Sequence, residues 1–319
     1  MIVLLLETVL TLKVENYWRE KGRSMLTVTN IKEQRATKVI LWILVTTIIF
    51  CTVDIWISYN WLIIKNFTVE SEQIENSFRI VLVSDLHNHQ FGKDNHSLIE
   101  KIEAQSPDLI VLDGDMINNN SKNSEVAVKI IEQLKDIAPV YYSLGNHEYE
   151  YIEAGTSDLI DELEEAGAIV LDHKIYDIEV NGNEIRLGGL YEYGFETSMQ
   201  TEEENEKAVA YLEEFTDTDR YQIICPHRPE SLYCWDFVDQ WGIDLQLSGH
   251  LHGGQVIVPL KGGLYSPLEQ WFPKYDYGQY ELGNSTMIIT RGLGSNLKAL
   301  PRFNNPPEIA VIDVLPKKE

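Results

Sequence analysis

The sequence predicts an α/β fold, a four-layer α-β-β-α sandwich preceded by one transmembrane helix, and three observations carry that expectation. Residues 39–53 contain no charged side chain, and after the single Asp54 apolar character resumes through 55–64. From Phe78 onward, short β-branched runs alternate with amphipathic helical stretches, the pattern of stacked α and β layers. Toward the C-terminus a second group of strand-like runs is separated by Asn-Gly, Gly-Gly and Gly-Asn turns.

Residues 1–37 read as a basic cytoplasmic tail and 38–64 as a transmembrane anchor. The apolar run reaches roughly 39 Å at about 1.5 Å per residue, longer than a hydrocarbon core of ~30 Å, so Asp54 lies toward one interface. Trp56, Tyr59 and Trp61 form an aromatic belt there. Lys13, Arg19, Lys21, Arg23, Lys32, Arg35 and Lys38 outnumber the acids before the run, which puts the N-terminus in the cytoplasm and everything after the helix outside it. A cleaved signal peptide and a helix buried in the globular domain are the alternatives. Against the first, Trp56, Ile57 and Tyr59 follow where small residues should precede a cleavage site. Both Met1 and Met25 are usable starts. Residues 65–76 read as a linker and 77–319 as the globular domain.

In that domain the first strands fall at 79–84, 109–112, 140–143, 222–225 and 245–247, with helices near 97–104, 125–135, 158–165 and 204–215 between them. Later strands fall at 175–180, 184–187, 255–258, 280–282, 286–290 and 309–314. Two sheets packed face to face follow, with helices on both outer faces. The formal charge of −24, from 26 basic and 50 acidic residues, disfavours long polyanions as partners, so no nucleic acid polymer is expected. Cys51, Cys225 and Cys234 form no disulfide framework, although the last two can pair.

Metal-capable side chains stand just past several strand ends. Asp85 and His87, two apart, project to one side and can grip one ion, although such a pair is often an incidental surface feature. Asp115 follows Gly114 after a buried strand and can bridge two cations or cap a helix. In Gly145-Asn146-His147-Glu148, the Asn146 amide oxygen is a neutral ligand and His147 is the candidate general acid. His227 is a nitrogen ligand or a satisfied core histidine; His250 and His252 flank Leu251 ahead of Gly253-Gly254. This mixed nitrogen and oxygen set fits two divalent ions such as Mn, Fe, Co or Zn better than Ca or Mg.

These five segments, in this order, resemble the calcineurin-like metallophosphoesterase family over about residues 77–316. The resemblance implies that Asp85, His87 and His252 hold one metal and Asn146, His227 and His250 the other, with Asp115 bridging and His147 as acid. It also implies hydrolysis of a phosphoester or pyrophosphate. The segments Pro273-Lys-Tyr-Asp276, Arg291-Gly-Leu-Gly294 and Arg302-Phe-Asn-Asn-Pro306 are similar to the membrane-associated bacterial branch, some of whose members are assigned to UDP-2,3-diacylglucosamine hydrolysis. Many relatives carry Asp three residues after the bridging Asp to orient the acid His; this chain has Asn118, which is expected to accept a hydrogen bond from His147. Arg228 and Arg291 are candidate phosphate anchors, or solvated or structural arginines. The apolar stretch 264–273 packs a sandwich edge or forms a lip for a lipid chain. An extracellular nucleotidase or nuclease, and a non-catalytic metal-binding module tethered to the membrane, are the competing functions.

Overall fold

The computed structural model describes residues 28–121, 123–155, 158–190, 202–233, 241–267, 269–295 and 300–318. Cys234, considered above as a partner for Cys225, lies outside them. The chain divides into two compact units, the first ending at Thr52 and the second starting at Val53. What is described of the first unit belongs to helix α1, Val28–Asn60. Its segment Gln34–Asn60 is long and apolar enough to cross a membrane. Trp42, Ile48 and Phe50 are exposed on it, an arrangement that suits an apolar medium.

Helix α1 stops at Asn60, not at 64, and 65–76 is no linker. Residues Ile63–Ser71 form strand β1, in which Phe67 and Val69 are buried while Asn66, Thr68 and Glu70 are exposed. That two-residue alternation belongs to a strand half-covered by a core. An apolar run continuous with a helix hides such a strand start, because hydrophobicity alone does not separate the two periods.

The remaining main strands, in chain order, are β2 (Phe78–Val83), β3 (Leu109–Asp113), β4 (Val140–Ser143), β5 (Ala168–Val170), β6 (Ile175–Val180), β7 (Asn183–Gly188), β8 (Tyr221–Ile224) and β9 (Leu245–Ser248). They are followed by the short β10 (Ile257–Val258), β11 (Gly262–Gly263), β12 (Tyr265–Ser266) and β13 (Gln270–Trp271), then β14 (Gly278–Leu282), β15 (Ser285–Ile289) and β16 (Glu308–Pro316). One six-stranded sheet runs β1-β16-β2-β3-β4-β5 and the other β14-β15-β9-β8-β7-β6. Strands β2 to β5 are mutually parallel, as are β7, β8, β9 and β15.

Three strands join a different sheet from the one their place in the sequence suggests. Segments 222–225 and 245–247 join the second sheet as β8 and β9, whereas 309–314 joins the first as β16, between β1 and β2. Strand composition reports burial, not partner, so chain order misassigned them. Of 255–258, only Ile257–Val258 is strand, paired with β11 in a two-residue ribbon.

Alternation along the central strands builds the layers. Ile80, Leu82, Leu109 and Val111 face Ile185, Leu187, Ile223, Leu245 and Leu247 across the inter-sheet core. Val81, Val83, Ile110 and Leu112 face the other way, onto helices α2 (His96–Glu103), α3 (Glu125–Leu134) and, beyond α4 (Asn146–Glu153), α5 (Leu159–Ala166). On the far side, Leu212 and Phe215 of α6 (Glu202–Thr216) pack with Ile224 and Ile243. The result is helix, sheet, sheet, helix, with the C-terminal ends of the parallel strands of both sheets left to be closed by loops.

Candidate metal centre

Each candidate residue leaves one of those strand ends. Asp85 and His87 follow β2, Asp115 follows β3, Asn146 and His147 open α4 after β4, His227 follows β8, and His250 and His252 follow β9. Glycine makes the convergence sterically possible. Gly114 has φ +68°, and a Cβ there would lie 2.5 Å from the Gly145 nitrogen, so only two bare backbones can pass. Asp85, His87, Asp115, His250 and His252 themselves have positive φ, between 49° and 67°. Such conformations cost non-glycine residues of order 1 kcal/mol or more each and persist where surroundings over-determine them, as at functional sites.

Oxygen Oδ2 of Asp115 is the common point. It lies 3.4 Å from His227 Nε2 and 3.8 Å from both His87 Nε2 and His147 Nε2. Asp85 Oδ1 lies 3.6 Å from His252 Nε2, 3.9 Å from His227 Nε2 and 4.0 Å from His87 Nε2. Asp85, His87 and His252 form one group able to hold a cation, and Asp115, His227 and His250 another.

Hydrogen bonding favours a cation in each group. His87 Nδ1 faces Asn118 Oδ1 at 3.1 Å and His252 Nδ1 faces the Gly294 carbonyl at 3.2 Å, so both rings carry their proton on Nδ1. Burial holds both rings neutral, their pKa values pushed down to about 4. Their Nε2 lone pairs then meet at 3.2 Å, which repels unless a positive charge stands against both. In the other group, His250 Nε2 is buried without a hydrogen-bond partner and His227 Nε2 has nothing nearer than Asp115 Oδ2 at 3.4 Å; Asn146 Oδ1, at the start of α4, is also buried without a partner. Such orphaned groups cost about 1–3 kcal/mol each, and all three are good ligands for a borderline divalent ion.

The two groups differ in basicity. Burial pushes His250 well down. It acts the same way on His227, but Asp115, Asp85 and Asp113 outweigh it and hold that imidazole above its ordinary range. Asp113, enclosed behind the site, is pushed up to about 8 by burial. His227 Nδ1 donates to the Asp113 carbonyl at 2.6 Å, which aims Nε2 at Asp115.

Asn118 does not meet His147. The loops after β2 and β3 pair through His87 N–H to the Asp115 carbonyl and Asn88 N–H to the Met116 carbonyl, at 2.9 and 3.1 Å, which sets residue 118 opposite residue 87. Asn118 therefore binds the His87 ring and, through Nδ2, the His87 carbonyl at 2.9 Å. The Asn119 N–H donates to His147 Nδ1 at 2.8 Å, leaving the ring proton on Nε2, on the Asp115 side.

Sequence reasoning gave Glu148 no role. Its buried carboxylate accepts from the backbone N–H of Asp115, Met116, Ile117 and Gly145 at 2.7–3.3 Å and from Tyr142 Oη at 2.9 Å, stitching the β3 and β4 loops together. An acid at the third position of a helix was the available signal. Arg291 is engaged elsewhere, with Nε 3.2 Å from buried Glu308 and its guanidinium 4.2 Å from the Tyr277 ring centre. Arg228 lies close enough to His250 to disfavour its protonation.

A model of the calcineurin-like phosphoesterase family matches residues 78–254. A metallophosphoesterase of Campylobacter jejuni is 29% identical over 266 residues, covering 80% of this chain and 64% of that protein. The phosphodiesterase YaeI of Escherichia coli is 30% identical over 244 residues, covering 75% and 82%. The metallophosphoesterase YkuE of Bacillus subtilis is 28% identical over 254 residues, covering 76% and 82%. The chain spans slightly less than two thirds of the length of its Campylobacter and Helicobacter relatives. Matched over more than half its length, with strand ends that gather His and Asp side chains able to bind metal, the chain belongs to the calcineurin-like phosphoesterase family.

Proposed function

We propose that the protein is a membrane-anchored phosphoesterase that uses two divalent ions, chosen among Mn, Fe, Co and Zn, to hydrolyse a phosphoester or pyrophosphate in a lipid-linked substrate outside the cytoplasm. Asp85, His87 and His252 would hold one ion and Asn146, His227 and His250 the second, with Asp115 available to both. The observation that carries this is the pair of facing Nε2 lone pairs on His87 and His252, beside three orphaned donor atoms on Asn146, His227 and His250. When bound, the ions supply Lewis acidity toward phosphate and neutralise its charge.

The chain supplies the rest. Asn146 adds a ligand without adding negative charge, so the centre stays attractive to an anion. His147 directs its Nε2–H toward the reacting phosphate and protonates the leaving oxygen. The Asn119 N–H, donating to Nδ1 at 2.8 Å, fixes the ring's orientation. Arg228 is the favoured phosphate anchor; Arg291, paired with Glu308, is the weaker one.

The lipid assignment rests on helix α1 and on exposed apolar groups of the ribbons that follow His252. Leu260, Trp271 and Phe272 are exposed, and Lys261 Nζ lies 5.0 Å over the Phe272 ring. Such a rim suits an acyl chain under an anionic headgroup. Manganese-loaded protein should hydrolyse an aryl phosphodiester and a lipid-linked phosphoester, with both activities abolished by a chelator. Trp271→Ala with Phe272→Ala should reduce turnover of the lipid substrate several-fold and leave the aryl ester unchanged. Equal losses on both substrates refute the lipid assignment, and an inert metal-loaded protein refutes the enzyme.

A further inference from the structure

Helix α1 ends in the second unit, and its last turns touch the segment that carries Arg302 and Asn305. We propose that Asp54, Ser58 and Tyr59 are positioning residues for one half of the metal centre, holding His252 through Arg302 and Asn305. This rests on the two-ion reading above.

Arg302 has no solvent exposure. Its guanidinium donates to the carbonyls of Arg291, Gly294, Gly292 and Asn305 and to Asn305 Oδ1, at 2.8–3.4 Å. A buried cation satisfied almost entirely by backbone carbonyls is an expensive way to hold a loop. What that loop holds explains it. Gly294 O, which accepts from Arg302 Nη1 at 2.8 Å, also faces His252 Nδ1, so Arg302 fixes the group that orients the His252 ring. Asn305 Nδ2 donates to the carbonyls of His252 and Gln255 at 2.7 and 3.1 Å, gripping the backbone that His252 holds at φ 49°. The same segment closes on Asp85, whose carbonyl accepts from Gly294 N–H at 2.6 Å.

The helix end secures this loop. Asp54 Oδ2 accepts from Asn304 N–H at 2.6 Å, Ser58 Oγ from Asn305 N–H at 3.2 Å, and Tyr59 Oη from Arg302 N–H at 3.4 Å. Asp54 and Ser58 are four residues apart and share a helix face. The only acidic residue of the apolar segment is thus an acceptor for the loop, and Ser58 is fully buried against it. Among the described residues, no hydrogen bond of Asp54, Ser58 or Tyr59 reaches Asn146, His227 or His250. Loosening the helix end should therefore weaken one ion and spare the other.

The test uses the full chain in detergent micelles, titrated with manganese and followed by paramagnetic resonance, so that a coupled pair is distinguished from an isolated ion. Wild-type protein should bind two ions as a coupled pair. Ser58→Ala and Asp54→Ala should retain one ion at wild-type affinity and bind the other roughly 10–100-fold more weakly, as changes behind a metal ligand do. At limiting metal the signal becomes that of an isolated ion, and Ser58→Thr restores the pair. A pair unchanged in both variants overturns the inference, as does equal weakening of both ions, which marks general destabilisation. A wild-type chain that never holds a pair overturns the two-ion reading itself and this inference with it.

Discussion

Asp85, His87 and His252 are braced mainly by loop segments, at Asn118, Gly294 and Asn305, whereas His227 and its neighbours are braced mainly by groups at the sheet ends. Around the second set, His227 Nδ1 donates to the Asp113 carbonyl of β3, Gly249 N–H donates to the His227 carbonyl, and Ser248 Oγ donates to the Pro226 carbonyl. Around the first set, the braces are Asn118, Gly294, Arg302 and Asn305. The half built on strand ends rests on the paired sheets. The other half also rests on the loop around Arg302 and Asn305 that the end of α1 touches. One site thus has an intrinsic part and a conditional part, joined at Asp115.

Removing the joint should have the largest effect. Asp115→Ala is expected to reduce bound metal below one ion per chain and turnover by at least ~10³-fold, since electrostatic stabilisation is the largest share of such catalysis. Retention of two ions by metal analysis would dissolve the distinction between halves. His147→Gln should lower kcat by roughly 10²–10⁴-fold with metal content unchanged, which separates proton donation from metal retention. Loss of metal in that variant would make His147 a ligand. Glu148→Gln should weaken both ions together by about 10–100-fold, because Glu148 holds the Asp115 backbone from which both are served. Weakening of one ion alone would reassign Glu148 to a single half.

A smaller effect sharpens the comparison by pH. His87 and His252, with pKa values near 4, are already neutral at pH 7, so an ion entering there displaces no proton from them. His227 is raised above its ordinary range and must lose a proton to bind metal. Affinity at the His227 half should rise with pH through that raised value, while the other half stays flat down to about pH 5. Titration calorimetry in buffers of different ionisation enthalpy should show about one proton released for one ion and none for the other. The sign for the metal-free fold follows as well. A raised His227 contributes stability that is fully present below about 6.5 and lost as pH climbs through the folded value. The depressed His87 and His252 act in the opposite direction between about 6.5 and 4, where only their unfolded forms take up protons.

Much of the centre was legible because the relevant signals are local. A His, Asp or Asn beside glycine at the end of an apolar run can be read from a few residues, and short β-branched runs alternating with amphipathic helical stretches give the α and β layers. What escaped depends on long-range pairing. Strand β1 is disguised by its continuity with the apolar helix, and its partner β16 lies at the other end of the chain. Nothing local in 309–314 says that it inserts beside β2. Asn118 faces His87 and not His147 because two loops share backbone hydrogen bonds that no spacing rule encodes. Arg302 and Asn305 stood in a quoted segment without a role, since their partners Ser58, Tyr59, Gly294 and His252 come from three other parts of the sequence.

The most direct test of the two-half centre is anomalous scattering from crystals of the manganese-loaded full chain. Two peaks are expected, one against Asp85, His87 and His252 and one against Asn146, His227 and His250, both within coordination distance of Asp115. A single peak, or a second one remote from Asp115, would contradict the account.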